Sequence, residues 1–281
     1  MRQFTGAKLP KNHNTPSLIN QGKSNEELSL YRLLQTLLPN TKIISGDRTA
    51  IYPRELDIYI PSKQLAIEFN GLFWHYENSD SNKTESYHLY KTIQCNEKNI
   101  RLLSIFSDEL EQKKRLVIDL IKKSVGIYQE INIDDCVVYP ITQSESNAFL
   151  KANHLLGSVD GNIRYGLFYN NELVFVALFN DNNDSYELLR YSELTGFIIR
   201  NALSKIIEKL DKKKIICEID RRLYDGVELK ECGFVCVSAT KPEYTLTKDF
   251  KSRINPTLLT ESQAKNYKKV WDCGKLRFEL E

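Results

Sequence analysis

The residues that could do chemistry in this chain are concentrated between positions 57 and 91. Two carboxylates, Asp57 and Glu68, lie in neighbouring strand-like segments. Two of the four histidines in the chain, His75 and His88, follow within 20 residues of Glu68, and Lys91 stands one helical turn after His88. Carboxylates hold divalent cations, histidine transfers protons near neutral pH, and lysine stabilises charge on phosphate. The cluster therefore predicts metal-dependent hydrolysis of a phosphodiester, with Mg²⁺ (or Mn²⁺) at Asp57 and Glu68 and catalytic roles for the other three residues.

Two strands and a short turn would bring the carboxylates together. Alternating apolar residues predict strands over 55–60 and 64–70, joined by a turn at 61–63. In such an antiparallel hairpin Asp57 and Glu68 are cross-strand neighbours on one face, about 4.5–5.5 Å apart at Cβ. Carboxylates this close repel each other unless something positive lies between them. The alternative is that both acids face solvent and pair with Lys63 or Arg54.

Helices and a third strand complete a predicted first domain over 23–127. Ser24-Asn-Glu-Glu27 is typical of a capping box, and apolar residues recur at helical spacing as far as Leu38. We predict a helix over 85–98, a central strand over 100–106 and a helix over 107–124. Residues 1–22 form a basic arm without any acid; it is either a DNA-binding arm or a solubilising terminus. Its candidate contacts to a DNA backbone are Arg2, Lys8 and Lys11.

The second half, residues 128–281, has the pattern of an α+β domain that follows a link at 126–140. Strands are predicted over 165–169, 172–179, 186–191, 215–219, 234–239 and 276–280, with helices over 196–210 and 227–232. For His154 we favour a structural role, in which it satisfies a buried backbone group, over a contact with DNA. Basic and aromatic residues in this half are candidate DNA contacts. They are Arg221, Arg222, Lys241, Tyr244, Lys251 and Arg253.

Composition excludes several other classes of protein. The formal net charge of +2 gives no global preference for nucleic acid. No apolar run approaches 18 residues, so we expect no membrane span, and the N-terminus has no hydrophobic signal core. The six cysteines are scattered without a CxxC pair, which argues against a zinc site and predicts reduced thiols in a cytoplasmic protein.

The first half resembles phage-encoded homing endonucleases related to the very-short-patch-repair nucleases, within the wider PD-(D/E)xK fold. The motifs that carry the resemblance are Glu55-Leu-Asp-Ile-Tyr-Ile-Pro61, Leu65-Ala-Ile-Glu-Phe-Asn-Gly71, Phe73-Trp-His75, Tyr87-His-Leu-Tyr-Lys91 and Ile100-Arg-Leu-Leu-Ser-Ile-Phe106. The resemblance implies a mixed sheet flanked by helices over roughly residues 23–125. It implies Asp57 as a metal ligand, His75 as the candidate base and His88 where the repair enzyme has an acid. Glu26 or Glu27 on the first helix would complete the site, with a slight preference for Glu27.

One departure from that pattern concerns the lysine of (D/E)xK. Glu68-Phe69-Asn70 ends in a neutral amide, so Lys91 or the metal must supply the positive charge, or the site is weaker. Asn70 and Trp74, which lie beside the cluster, are candidate contacts to double-stranded DNA. The expected function is site-specific cleavage of DNA, as a nick by a monomer or a double-strand cut by a homodimer. The alternative is a catalytically weak or inactive DNA-binding or assembly module of the same fold.

The second half resembles N-acetyltransferases of the GNAT type, and more closely a GNAT-like domain at the C-terminus of some phage nucleases. The matching segments are Phe149–His154 with Gly157, Tyr186–Tyr191, Asp220–Arg222, Gly233-Phe234, Lys241–Tyr244, Trp271–Gly274 and Phe278-Glu279. An acyl-CoA enzyme needs a glycine-rich turn at a helix N-terminus to hold pyrophosphate. The stretch Thr195–Ala202 has a single glycine. We therefore expect no coenzyme A and assign this half to DNA recognition, with CoA-dependent acylation as a third, less favoured class.

Overall fold

The computed structural model of the chain describes residues 24–79 and 84–281. The predicted arm contacts Arg2, Lys8 and Lys11 lie outside the described residues. The helices are α1 (Asn25–Leu37), α2 (Tyr87–Glu97), α3 (Ser107–Gln112), α4 (Lys114–Val125), α5 (Gln143–Asn153), α6 (Ala202–Ile207), α7 (Val227–Glu231) and α8 (Glu261–Ala264). No helix in these ranges is both long and apolar enough to cross a membrane.

The strands of the described residues number β1 to β15 and belong to two larger sheets and two short pairs. They are β1 (Ile44–Asp47), β2 (Leu56–Ile60), β3 (Leu65–Asn70), β4 (Arg101–Phe106), β5 (Gln129–Glu130), β6 (Val137–Pro140), β7 (Ile163–Tyr169), β8 (Glu172–Asp181), β9 (Ser185–Glu193), β10 (Phe197–Ile198), β11 (Lys214–Asp220), β12 (Val235–Ala239), β13 (Tyr244–Thr247), β14 (Lys268–Trp271) and β15 (Lys275–Leu280). The chain is thus a mixed α/β protein.

The first sheet has the order β1-β2-β3-β4 and carries the predicted cluster. Strands β1, β2 and β3 are antiparallel, whereas β3 and β4 are parallel, so the sheet is mixed as expected. Leu34 of α1 and Ile121 of α4 pack on one face, and Cys95 of α2 packs on the other. All six residues of β3 are buried because helices cover both faces of the sheet.

The second sheet has seven strands in the order β12-β15-β11-β9-β8-β7-β6. Its neighbours are antiparallel except β9 and β11, which run parallel over four residue pairs that end at Leu188 and Cys217. Beyond these pairs the two strands separate and leave a cavity of about 650 Å³, part of whose wall comes from α4 in the first half. Helices α5 and α6 pack into two different hydrophobic clusters of this half.

Three sequence predictions need correction. The helix expected over 107–124 is two helices that break at Lys113, and the link at 126–140 contains strands β5 and β6. The helix expected over 196–210 is helical only over Ala202–Ile207. Its first residues instead form β10, which pairs with β5. Side chains from elsewhere in the chain bind the backbone N–H groups of this stretch, and these tertiary hydrogen bonds override its helical periodicity.

A buried ion-pair network joins the two halves. Arg222 donates to Glu109 of α3 at 2.9 Å and to Asp220 at 2.8 Å, and it also donates to the Ser104 carbonyl of β4 at 3.0 Å. Arg253 donates to Glu109 at 2.8 Å. Burial alone would raise the pKa of Glu109, but the two guanidinium groups lower it to about 2. The end of β4 and the start of α3 are therefore fixed by residues more than 100 positions later in the chain.

Candidate functional site

The two carboxylates lie at the end of the β2–β3 ladder. Ile58 pairs with Ile67, which places Asp57 directly opposite Glu68, as the hairpin predicts. Each side chain accepts a hydrogen bond from the other strand. The Phe69 N–H donates to Asp57 Oδ2 at 2.8 Å, and the Asp57 N–H donates to Glu68 Oε1 at 3.1 Å. These bonds fix both carboxylates at the point where backbone pairing stops, on the face of the sheet that α2 covers.

Lys91 supplies a positive charge to this pair. Its Nζ lies 2.5 Å from Glu68 Oε2, and both side chains are less than one-tenth exposed. Helix α2 buries His88, Lys91, Thr92 and Cys95 on one face, so the one-turn spacing of His88 and Lys91 directs both towards the sheet. The alternative that Glu68 faces solvent and pairs with Lys63 or Arg54 is wrong, because Glu68 is buried and its ion pair is with Lys91.

The charge state of the cluster reflects burial. Burial, with a further contribution from the Asp57 carboxylate, raises the pKa of Glu68 to about 7 although Lys91 opposes the shift. Burial would lower the pKa of Lys91, but Glu68 and Asp57 raise it above its usual value. Two carboxylates therefore share one ammonium group in a nearly dry site. A second cation would relieve the remaining repulsion.

The two histidines meet beside this cluster. The rings of His75 and His88 are stacked with centroids 5.3 Å apart, and His88 also lies edge-on to Phe106 at 5.6 Å. His88 is buried, whereas His75 is partly exposed at the start of the loop that follows β3. Trp74, its neighbour, is 69% exposed. An ionisable ring and a large open aromatic surface thus stand together at the edge of the site.

Glu27 lies on the first turn of α1, where its backbone N–H donates to Ser24 Oγ at 3.0 Å. It shares a helix face with Leu30 and Leu34, the two residues that α1 buries against the sheet. Its catalytic role stays a prediction. Among the described residues, no group of three or more His, Cys, Asp or Glu side chains is arranged to hold a metal ion. The carboxylates of Asp57 and Glu68 remain as possible metal ligands, and Mg²⁺ is commonly bound by one or two carboxylates plus substrate phosphate.

Asn70 does not fit its predicted role as a DNA contact. Its side chain is 1% exposed, and its Nδ2 donates to Ser104 Oγ of β4 at 2.7 Å. Its Oδ1 is buried and has no hydrogen-bond partner among the described residues. The amide that replaces the usual lysine therefore lies inside the sheet. Lys91 occupies the place beside the glutamate from a different element, which sequence spacing alone left open.

The predicted DNA contacts of the second half divide into three groups. The prediction that Arg222 and Arg253 contact DNA is wrong, because their guanidinium groups form ion pairs with Glu109 and are not available to phosphate. Tyr244 packs edge-on against Trp271 at 5.0 Å, and Arg221 is partly buried. The exposed candidates are Lys241 and Lys251. His154 is structural: its Nδ1 accepts the Leu156 N–H at 3.1 Å, and burial lowers its pKa well below the usual value.

The turn that would hold a pyrophosphate is already satisfied by acidic and amide side chains. The Thr195 N–H donates to Asn153 at 3.0 Å, the Gly196 N–H to Asp119 at 2.7 Å and the Ile199 N–H to Glu193 at 2.9 Å. Two of these three acceptors are carboxylates, which would repel a phosphate. The geometry thus argues against coenzyme A at this turn, in addition to the single glycine.

Comparisons with known proteins find fold neighbours for about half of the chain. Three are the ribosomal-protein-S18-alanine N-acetyltransferase of Escherichia coli (11% identity, 52% of this chain and 92% of that chain, TM-score 0.36), an IAA acetyltransferase of Bacillus cereus (10%, 52% and 99%, 0.33) and a GNAT family acetyltransferase of Elizabethkingia anophelis with acetyl-CoA bound (13%, 53% and 99%, 0.32). No protein-family model and no curated protein matches the sequence. At these identities and TM-scores we base the proposals below on the residues themselves.

Proposed function

We propose that this chain is a metal-dependent DNA endonuclease whose site consists of Asp57, Glu68 and Lys91 with His75 beside them. The observation that carries the proposal is the buried ion pair between Lys91 and Glu68, opposite Asp57. Two carboxylates on adjacent strands and a lysine on the helix that packs over them can bind a divalent cation and stabilise charge on a phosphodiester. Asn70 cannot supply the positive charge of the usual lysine, and Lys91 would supply it from helix α2. The homing-type, site-specific character of the cleavage belongs to the same proposal.

Each residue has a distinct task in this mechanism. Asp57 and Glu68 present carboxylate oxygens to a divalent cation, which when bound polarises the phosphate and lowers the pKa of an attacking water. Lys91 stabilises the charge that develops on the phosphate. His75 accepts the proton of the water or returns one to the leaving oxygen, since histidine titrates near neutral pH. Trp74 presents its exposed ring to DNA bases at the edge of the site.

A direct test is cleavage of supercoiled plasmid and of longer double-stranded DNA in Mg²⁺ or Mn²⁺. We expect nicked or linear products from the intact protein and their loss, by at least about a hundredfold, in Asp57→Asn. Asp211→Asn, an exposed carboxylate outside the site, is the matched control and should cleave normally. Cleavage by Asp57→Asn at the rate of the intact protein would contradict the proposal. Steep, salt-dependent DNA binding without cleavage would favour a DNA-binding module of the same fold instead.

A further inference from the structure

Residues 240–272, here called the basic segment, leave the seven-stranded sheet between β12 and β15. They form the separate β13–β14 hairpin, in which Tyr244 pairs with Trp271 and Thr247 pairs with Lys268. The segment packs on the first half of the chain. Val270 lies in a hydrophobic cluster with Leu72 and Phe106, next to the candidate site.

Specific contacts fix the basic segment to the loop that carries His75. The ring of Phe250 lies 5.2 Å from that of Phe73 and 5.4 Å from that of Tyr76. The Glu77 N–H donates to the Lys269 carbonyl at 2.7 Å, and the Trp271 indole N–H donates to Glu77 Oε1 at 3.0 Å. These contacts lie on both sides of His75. The basic segment therefore borders the loop that carries His75.

The basic segment carries an excess of positive charge. Its 33 residues contain seven Lys or Arg and four Asp or Glu, a net charge of +3, whereas the whole chain of 281 residues has +2. Arg253 is used inside the protein, and Lys269 lies near Glu77. The other five basic residues are exposed lysines that form no ion pair with another described residue. They are Lys241, Lys248, Lys251, Lys265 and Lys268.

We propose that the basic segment binds the phosphate backbone of double-stranded DNA next to the cleaved bond and so sets where the strand enters the site. This inference rests on the proposed function, because it names the surface that presents the substrate to Asp57 and Glu68. Exposed lysines without counterions bind phosphate at little desolvation cost and release the condensed cations of DNA. Lys268 lies beside the loop that carries His75, since its Nζ is 5.8 Å from the ring of Tyr76, the residue after His75. The contacts of Phe250 and Trp271 with the loop that carries His75 hold these lysines at a fixed position relative to the site.

The test compares two fourfold variants of the full chain in binding a DNA duplex of roughly 40 base pairs, in EDTA so that nothing is cut. One variant replaces Lys248, Lys251, Lys265 and Lys268 by alanine. The matched control replaces Lys151, Lys209, Lys212 and Lys230, which are also exposed and outside the basic segment. The slope of log K against log salt becomes shallower by about 0.9 for each DNA phosphate that the protein no longer neutralises. We expect the slope of the first variant to be shallower by roughly 2 to 4 and that of the control by less than about 0.5.

The outcomes separate this inference from the proposed function. If the wild-type protein cleaves DNA but the first variant keeps its slope, the basic segment is not the DNA surface and the endonuclease proposal stands. If the wild-type protein binds with a steep slope that the first variant loses, yet never cleaves, the DNA surface stands and the endonuclease proposal fails. Tighter binding of single-stranded RNA or of polyglutamate than of duplex DNA would overturn the inference. Thermal unfolding of both variants, expected to match the wild type, excludes misfolding as the cause.

Discussion

Replacing Lys91 by methionine should both destabilise the protein and abolish DNA cleavage, for reasons that a second substitution can separate. The ion pair of Lys91 with Glu68 is 2.5 Å long and both side chains are nearly inaccessible. Removing Lys91 leaves Glu68 buried beside Asp57, where its carboxyl group must either stay charged without a partner or take up a proton, and breaking a buried pair in this way costs about 3–5 kcal/mol of unfolding free energy. In Glu68→Gln/Lys91→Met no unpaired charge remains from the pair, and an amide oxygen can still accept the Asp57 N–H. We expect that double variant to lose only about 1–2 kcal/mol.

The assay is urea unfolding followed by circular dichroism at pH 7.5, together with plasmid cleavage at a temperature where every variant is folded. The double variant should be more stable than Lys91→Met by roughly 2–3 kcal/mol and yet remain inactive. Lys98→Met at the C-terminal end of α2 is the control, because Lys98 is exposed, and it should change stability by less than about 0.5 kcal/mol. The reasoning is refuted if the double variant is no more stable than Lys91→Met, or if it cleaves DNA at the wild-type rate.

Three further predictions follow from the same geometry. First, the pKa of Glu109 is about 2 in the folded protein against an ordinary value of 4.5, so its contribution to the unfolding free energy is present above pH 4.5 and is lost as the pH falls towards 2. By linkage this contribution amounts to about 3 kcal/mol. Glu109→Gln should therefore make the unfolding free energy depend less on pH between pH 5 and pH 2.5, whereas Glu111→Gln should not. Second, Trp74→Ala should weaken binding of single-stranded DNA, whose bases can stack on the exposed indole, by about 1–3 kcal/mol with little loss of stability. Tyr139→Ala, which removes an exposed aromatic side chain on β6, should leave that affinity unchanged in the same titration. Third, millimolar acetyl-CoA should not raise the melting temperature, because Asp119 and Glu193 already occupy the backbone N–H groups of the turn; a rise of several degrees would contradict this.

The buried network around Glu109 also bears on how the two halves cooperate. Arg222 donates hydrogen bonds to the Ser104 carbonyl of β4 and to the Glu109 carboxylate, so the second half of the chain fixes β4 in place. The Ser104 hydroxyl of the same strand accepts a hydrogen bond from the Asn70 side chain, next to the candidate site. The candidate site and the basic segment are therefore parts of one packed unit. Arg222 and Arg253, which the sequence predicted as DNA contacts, instead hold the second half of the chain against α3 through Glu109.

The sequence by itself predicted the hairpin and the pair of carboxylates. Strand periodicity is strictly two, so the alternation through 55–70 and the turn at 61–63 decide that Asp57 and Glu68 share a face. The one-turn spacing of His88 and Lys91 decides in the same way that both lie on one face of α2. These are local properties, and no distant residue can change them without breaking the element. The mixed sheet flanked by helices was implied by the resemblance of the first half to the PD-(D/E)xK nucleases and not by these local patterns.

Only the tertiary structure decided which partners these side chains meet. Local spacing could not assign Lys91 rather than Lys63 or Arg54 to Glu68, because an ion pair depends on how a helix packs over a sheet. It could not show that Arg222 and Arg253 form ion pairs with Glu109, since a basic residue looks the same in sequence whether its acidic partner is more than 100 positions away or absent. It also predicted a helix through residues 196–201. There the Gly196 and Ile199 N–H groups donate to Asp119 and Glu193, and the adjoining Thr195 N–H donates to Asn153, so the backbone takes a different course. The charge of a residue and the periodicity of a segment can be read from the local sequence. The burial of a side chain and the choice of its ion-pair partner are decided by contacts between distant parts of the chain.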